Sequence, residues 1–376
     1  MVELADVLRR FAGAYLAAYG TAMPASHRRA IADIIACRTE ALGGHLWRCD
    51  HCNAEIFSYH SCKNRSCPKC HTDQTQAWLE RRRAEMLPAP YFHVIVTVPE
   101  ELRHTLCSNQ RDGYSVLLKA AAEAIIELAG DRRFVGGTVG ILAVLHTWTQ
   151  QLLYHPHVHC LVTAGGISAD RNYWCAARQG FLFPPKALAK LVRGKLKGPA
   201  RQPTTGHRSS PERMAQTLDR PHHAMGRGRA SRARLPRPLR LPRRHHQLPH
   251  RRPRRRRRDD PLQQRKFARW RTCRIAGNEL MRRFLQHVVP KGFHKVRYFG
   301  LWHPAKRDLA ACARLMLLLD QPAPSATTAE CPPATDTNHG EAPGDPRSAQ
   351  PQTCSRCQIG HLILVRRLSP RNPMGP

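Results

Sequence analysis

The sequence predicts an α+β fold: a small N-terminal helical and zinc-binding domain, then a domain built on an antiparallel sheet. Three observations carry this. Apolar, β-branched runs at residues 91–98, 139–146 and 156–163 alternate with helical periodicities. Two Cys-x-x-Cys pairs, Cys49/Cys52 and Cys67/Cys70, stand fourteen residues apart. Between 201 and 258 the vocabulary of a folded core disappears, with no Val, Ile, Phe, Tyr, Trp or Cys.

In chain order, residues 1–45 read as helical, because Val7, Leu8, Phe11 and Tyr15, and later Ile31, Ile34 and Ile35, recur at helical spacing. Residues 72–86 form a basic helix carrying Arg81, Arg82 and Arg83. Residues 91–98 are a buried strand stopped by Pro99, and 114–128 an alanine-rich helix. Strands at 139–146 and 156–163 follow, with a turn at Gly165-Gly166 and a short strand at Tyr173-Trp174. A helix starts at Pro185. After the apolar-poor segment come a helix at 278–287, a strand at 293–299 and a helix ending near 320. The division is therefore 1–90, 91–197, an Arg/Pro/His-rich and disordered 198–263, 264–320, and a linker and tail at 321–376.

No apolar run approaches the roughly 18 residues of a membrane span, and the start Met1-Val2-Glu3-Leu4-Ala5-Asp6 lacks a signal pattern. A cytoplasmic protein without a membrane partner is expected, and nothing sets its oligomeric state. Fourteen cysteines then argue for metal rather than disulfides. The net charge of +34 points to nucleic acid. Residues 201–258 hold 19 Arg against two acids and so supply half of it.

Four thiolates from two knuckles close a tetrahedral shell, so Cys49, Cys52, Cys67 and Cys70 are expected to share one structural Zn²⁺. Between them His60 and Cys62 are either further ligands or ordinary packing residues. Near the C-terminus Cys354 and Cys357 form a third pair, half of a possible second site. Lys63, Arg65, Lys69, Arg81, Arg82 and Arg83 flank the zinc residues and are expected to meet phosphate.

The most informative run is His155-Pro156-His157-Val158-His159. On a strand, alternate side chains share a face, so His157 and His159 project together while Val158 enters the core. Two imidazoles on one strand suit a divalent metal that polarises a phosphodiester.

The chain resembles the HUH-type rolling-circle insertion-sequence transposases with an N-terminal transposase zinc-binding domain. Four segments carry the resemblance: Arg48-Cys49-Asp50-His51-Cys52; residues 60–70; His146-Thr147-Trp148 through Cys160; and residues 282–293. The resemblance implies an HUH-type nuclease domain that holds Mg²⁺ or Mn²⁺ on a His-hydrophobic-His strand. It implies a downstream tyrosine that attacks single-stranded DNA at the element ends, leaving a 5′-phosphotyrosine and a free 3′-OH. His157 and His159 match the metal strand, and both His155 and His146 are candidates for a third ligand.

The nucleophile is missing. Tyrosines stand at 15, 19, 59, 91, 114, 154, 173 and 298, with none between 173 and 298, where the resemblance implies one. A pair of compensating frame changes, near 197–201 and 258–264, explains both this and the Arg/Pro/His composition. The alternative is a genuine arginine-rich arm binding DNA by counterion release. The chain is thus read as a transposase defective in strand chemistry. Its rivals are a zinc-dependent DNA-binding or regulatory protein and a metal-dependent nuclease using water.

Overall fold

The computed structural model describes residues 3–197, 227–229, 275–320 and 352–371. Most of the Arg/Pro/His-rich segment and of the linker after 320 lies outside the described residues. The chain divides into two compact units, one comprising Met1–Arg29 with Thr72–Asp320, the other Ala30–His71 with Gln321–Pro376. This division falls at 29/30 and 71/72, whereas the sequence reading draws its first boundary at residue 90. The first helix belongs with the large sheet, and the tail belongs with the first cysteines.

In order, the elements are α1 (Leu4–Tyr19), α2 (Ala25–Ala36), β1 (Gly44–Cys49), β2 (Glu55–Tyr59), α3 (Pro68–Glu85), β3 (Tyr91–Thr97), α4 (Glu101–Ser108), α5 (Gln110–Gly130), β4 (Thr138–Trp148), β5 (Tyr154–Ile167), β6 (Trp174–Ala176), α6 (Pro185–Lys197), β7 (Arg227–Arg229), α7 (Gly277–Leu285), β8 (Val296–Gly300), α8 (Arg307–Leu319) and β9 (Leu362–Leu368).

The first unit is built on a six-stranded sheet in the order β7-β3-β5-β4-β8, with β6 paired to β5, and every pairing is antiparallel. One face is dry. Val94 and Val96 of β3, Ile141, Ala143 and Leu145 of β4, and Val158, Cys160 and Val162 of β5 meet α4, α5 and α6 there. The buried alanines Ala120, Ala121, Ala122 and Ala124 give α5 a smooth surface on which to lie against the sheet. The opposite face gathers Tyr91, Leu142 and Leu161 with the part-buried Trp78, Tyr298 and Trp302.

The second unit carries a three-stranded sheet in the order β2-β1-β9, again antiparallel. Here the structure departs from the sequence reading, which places no strand between 44 and 59. β1 and β2 are six and five residues long, and most of β2 is exposed, so neither writes a clear alternation. The expected turn at Gly165-Gly166 is instead the end of β5, which continues to Ile167. The glycines serve close approach: a Cβ on Gly165 would lie 2.5 Å from the Trp174 ring nitrogen.

Candidate metal centres

The first centre lies on β4 and β5. Strand parity sends Val158 into the core with no exposure and leaves His155, His157 and His159 on the other face. His146 of β4 is the direct cross-strand partner of His157. The ring nitrogens of His146, His157 and His159 come within 4.8 Å of one another. Their ring centroids are 4.2 Å apart for His146–His159, 4.8 Å for His157–His159 and 5.4 Å for His146–His157. His155, the other candidate third ligand, stays outside this group and contributes its carbonyl, 2.6 Å from Nδ1 of His157.

With Nδ1–H of His157 donating to that carbonyl, Nε2 carries the free lone pair. His159 is arranged alike, its Nδ1 lying 2.7 Å from Nε2 of His93 on β3. Sequence reading missed His93; its only signal is one polar break in an otherwise apolar strand. Burial, reinforced by neighbouring imidazoles, holds His146 down to about 3 and His159 down to about 2. Burial also lowers His157 and His93. Each shift favours the neutral ring, the form in which an imidazole can bind metal.

His287, in the segment after α7, braces the loop beside this site. It hydrogen-bonds the Thr147 hydroxyl at 3.1 Å and the Leu152 carbonyl at 3.1 Å. Arg283 adds a bond to the carbonyl of Gln151.

Neither of the tyrosines on β5 and β8 stands beside the histidines. Tyr154 precedes them on β5, but parity turns it to the helical face, where its hydroxyl meets that of Tyr114 at 2.7 Å. Tyr298 shares the histidine face, yet it pairs with Leu142, four residues along β4 from His146, or about 13 Å at strand spacing.

The second unit holds two cysteine clusters. The four cysteines expected to share one zinc are not brought together. Cys67 and Cys70, at the start of α3, join Cys62 and Cys37, with Sγ–Sγ distances of 3.5 Å for Cys37–Cys70 and 3.6 Å for Cys62–Cys70 and for Cys37–Cys67. Cys49 and Cys52 join Cys354 and Cys357. Cys37 escaped the sequence reading because it belongs to no pair; it sits just past α2, before Arg38 at φ 57°. Of the two residues offered between the knuckles, Cys62 joins a cluster. His60 does not, and its ring packs edge-on against His45 at 5.0 Å. Burial pushes the Cys67 thiol up to about 11, while the Gly360 amide leads in holding Cys357 down to about 6.

Among the basic candidates, Lys63, Arg65, Arg81 and Arg83 are exposed, and Lys69 is half-buried. Arg82 is engaged within the protein, paired with Glu85 and lying 5.3 Å from the centroid of the Tyr298 ring.

Comparison with known proteins fits this geometry. Residues 7–98 match the family described as "Transposase zinc-binding domain", and residues 140–226 and 258–309 match the family described as "Putative transposase". The chain is 34% identical over 407 residues to a Sinorhizobium fredii protein named "Putative transposase y4qJ", covering 96% of this chain and 94% of that one. The chain belongs to the IS91/IS801-type insertion-sequence transposases. A further relative, "Transposase for insertion sequence element IS801" of Pseudomonas savastanoi pv. phaseolicola, is 31% identical over 174 residues, 45% of this chain and 40% of its own. No solved structure matches the chain significantly.

Within this transposase the zinc-binding match contains Cys37, Cys49, Cys52, Cys62, Cys67 and Cys70, but neither Cys354 nor Cys357. The second match contains the histidine strand and the segment with His287, and it skips residues 227–257. That gap holds 14 arginines and no acidic residue. Among the described residues no helix is long and apolar enough to cross a membrane.

Proposed function

We propose that this transposase is of the rolling-circle HUH type, built to nick and join single-stranded DNA at its element ends, and that the present chain lacks the nucleophile. The observation that carries the proposal is the set of three imidazoles converging on one sheet face, two of them with Nδ1 already hydrogen-bonded. Three neutral nitrogens without a carboxylate suit Mn²⁺ better than Mg²⁺, whose sites are oxygen-rich. His146, His157 and His159 are the residues that would hold the cation, and when bound it supplies positive charge to the scissile phosphate.

The chain's own residues do the rest. His93 and the His155 carbonyl fix the imidazole orientations, and the Trp148 ring stacks on His146 at 5.3 Å. Arg81, Arg83, Lys63, Arg65 and Lys69 meet phosphate, acting on DNA in the cytoplasm. The attacking tyrosine belongs in the Arg/Pro/His-rich segment 198–263, of which the family match skips 227–257, and frame loss has replaced it there with arginine-rich sequence.

The 14 arginines in 227–257 favour a second reading, a DNA-binding protein without strand chemistry. Incubation of the chain with single-stranded DNA and Mn²⁺ separates the readings. Binding without covalent adduct, together with adduct from a frame-restored chain, supports a lost nucleophile. Absence of adduct from both supports the binding protein, and cleavage without adduct supports a water-using nuclease.

A further inference from the structure

We propose that Cys49, Cys52, Cys354 and Cys357 form a second structural zinc site, distinct from Cys37/Cys62/Cys67/Cys70, that ties the C-terminal strand to the N-terminal zinc-binding domain. The family match to that domain ends at residue 98 and so contains only half of these ligands.

The distances are those of a metal shell. Cys49 and Cys357 are 3.7 Å apart at Sγ, Cys52 and Cys354 are 3.8 Å apart, and all four sulfurs fall within 4.8 Å. Zn–S bonds of about 2.3 Å in a tetrahedron set sulfurs about 3.8 Å from each other.

The two knuckles are also copies of one another. Cys49 Sγ accepts a hydrogen bond from the His51 amide at 3.4 Å, and Cys354 Sγ accepts one from the Arg356 amide at 3.4 Å. The Gly360 amide donates to Cys357 Sγ, also at 3.4 Å. Each second cysteine is followed by a left-handed residue, Asn53 at φ 52° and Gln358 at φ 59°. Amides turned onto sulfur stabilise thiolates, the form that binds metal.

The knuckles are pressed together as well. Asp50 Oδ1 accepts from the His361 amide at 2.8 Å, and the Asp50 amide donates to the His361 carbonyl at 3.1 Å. A Cβ at Gly360 would lie 2.5 Å from Asp50 Oδ1 and 2.6 Å from Cys49 Sγ, so only glycine admits this approach. Beyond the knuckles β9 pairs with β1, Cys49 standing opposite Leu362. The pairs Cys49/Cys52 and Cys67/Cys70 therefore serve different ions, and one of these closes the chain between residues 52 and 354.

The inference is independent of strand chemistry and is tested on the full chain carrying His157→Ala and His159→Ala, so that the imidazole cluster holds no zinc. Elemental analysis is expected to give two zinc ions per chain, with an all-sulfur shell by X-ray absorption. Cys354→Ser/Cys357→Ser is expected to give one. If that variant does not fold, Gly360→Ala replaces it and is expected to release one zinc at lower chelator concentration than the parent. One zinc per parent chain, a disulfide among the four cysteines, two zinc ions retained by the double variant, or unchanged release by Gly360→Ala each overturns the proposal.

Discussion

Nε2 of His93 lies 2.7 Å from Nδ1 of His159, and the two rings stack with centroids 4.9 Å apart and 11° between their planes. His93 reaches its partner diagonally, since its direct cross-strand neighbour is Leu161. The contact fixes which nitrogen of His159 faces the other imidazoles, as outer partners of metal-binding histidines do. His93→Ala is expected to weaken Mn²⁺ binding by about 10–100-fold, read by titration of the full chain. His93→Gln, which keeps a polar group at that reach, should restore part of the loss. Equal affinity in all three proteins would remove His93 from the site.

Acid should act on His287. Burial pushes its pKa down to about 4, whereas in the unfolded chain it titrates near its ordinary 6.5. The unfolded state therefore binds the proton more tightly. Stability from the neutral ring is complete above about pH 6.5 and is lost as pH falls toward 4, by at most about 1.4 kcal/mol per unit. His287→Gln should lower Tm at pH 7 and flatten its decline between about pH 6.5 and 4. Parallel Tm curves for the two proteins would contradict this role.

Arg81, Arg82 and Arg83 are neighbours in sequence with different prospects. Arg81 and Arg83 are exposed, while the Arg82 side chain is 24% exposed, paired with Glu85 and laid against Tyr298. Removing either exposed arginine should reduce the dependence of log affinity on log salt by about 0.7 for single-stranded DNA. Arg82→Ala should leave that slope unchanged and lower Tm instead, through lost packing. A reduced slope for Arg82→Ala would reverse the assignment.

These sites were unevenly legible in the sequence. The strand face of His157 and His159 could be read because parity is local, needing only the apolar neighbours Val158 and Cys160. His146 and His93 could not be singled out, because their nearness depends on the β4–β5 and β3–β5 registers, which the sequence does not print. The cysteines failed for a related reason. Spacing shows that knuckles exist, but which knuckles share an ion is a matter of long-range pairing, here between β1 and β9. The short strands β1 and β2 were hidden because the alternation of β1 breaks at Arg48-Cys49 and no residue of β2 is buried.

On the proposed reading the chain lacks its nucleophile. Neither Tyr154 nor Tyr298, the tyrosines of β5 and β8, stands opposite a histidine in register. Tyr154 is close in sequence but bonded to Tyr114 on the opposite face of the sheet, where burial raises its pKa far from that of a nucleophile. Tyr154→Phe should therefore cost about 1 kcal/mol of stability through the lost hydrogen bond and change nothing in DNA chemistry. Residues 227–257, which the family match skips, carry 14 Arg, five Pro and three His among 31 residues, the residues that GC-rich DNA yields out of frame. Restoring the frame between about 198 and 262 should recover a tyrosine on an amphipathic helix together with the absent Val and Ile. The repaired chain should then form a covalent tyrosyl–DNA adduct with single-stranded DNA, while the present chain forms none, a difference on the order of 10⁶ in rate for loss of a nucleophile. An adduct from the present chain would sink the idea, and so would alternative frames that encode no tyrosine there.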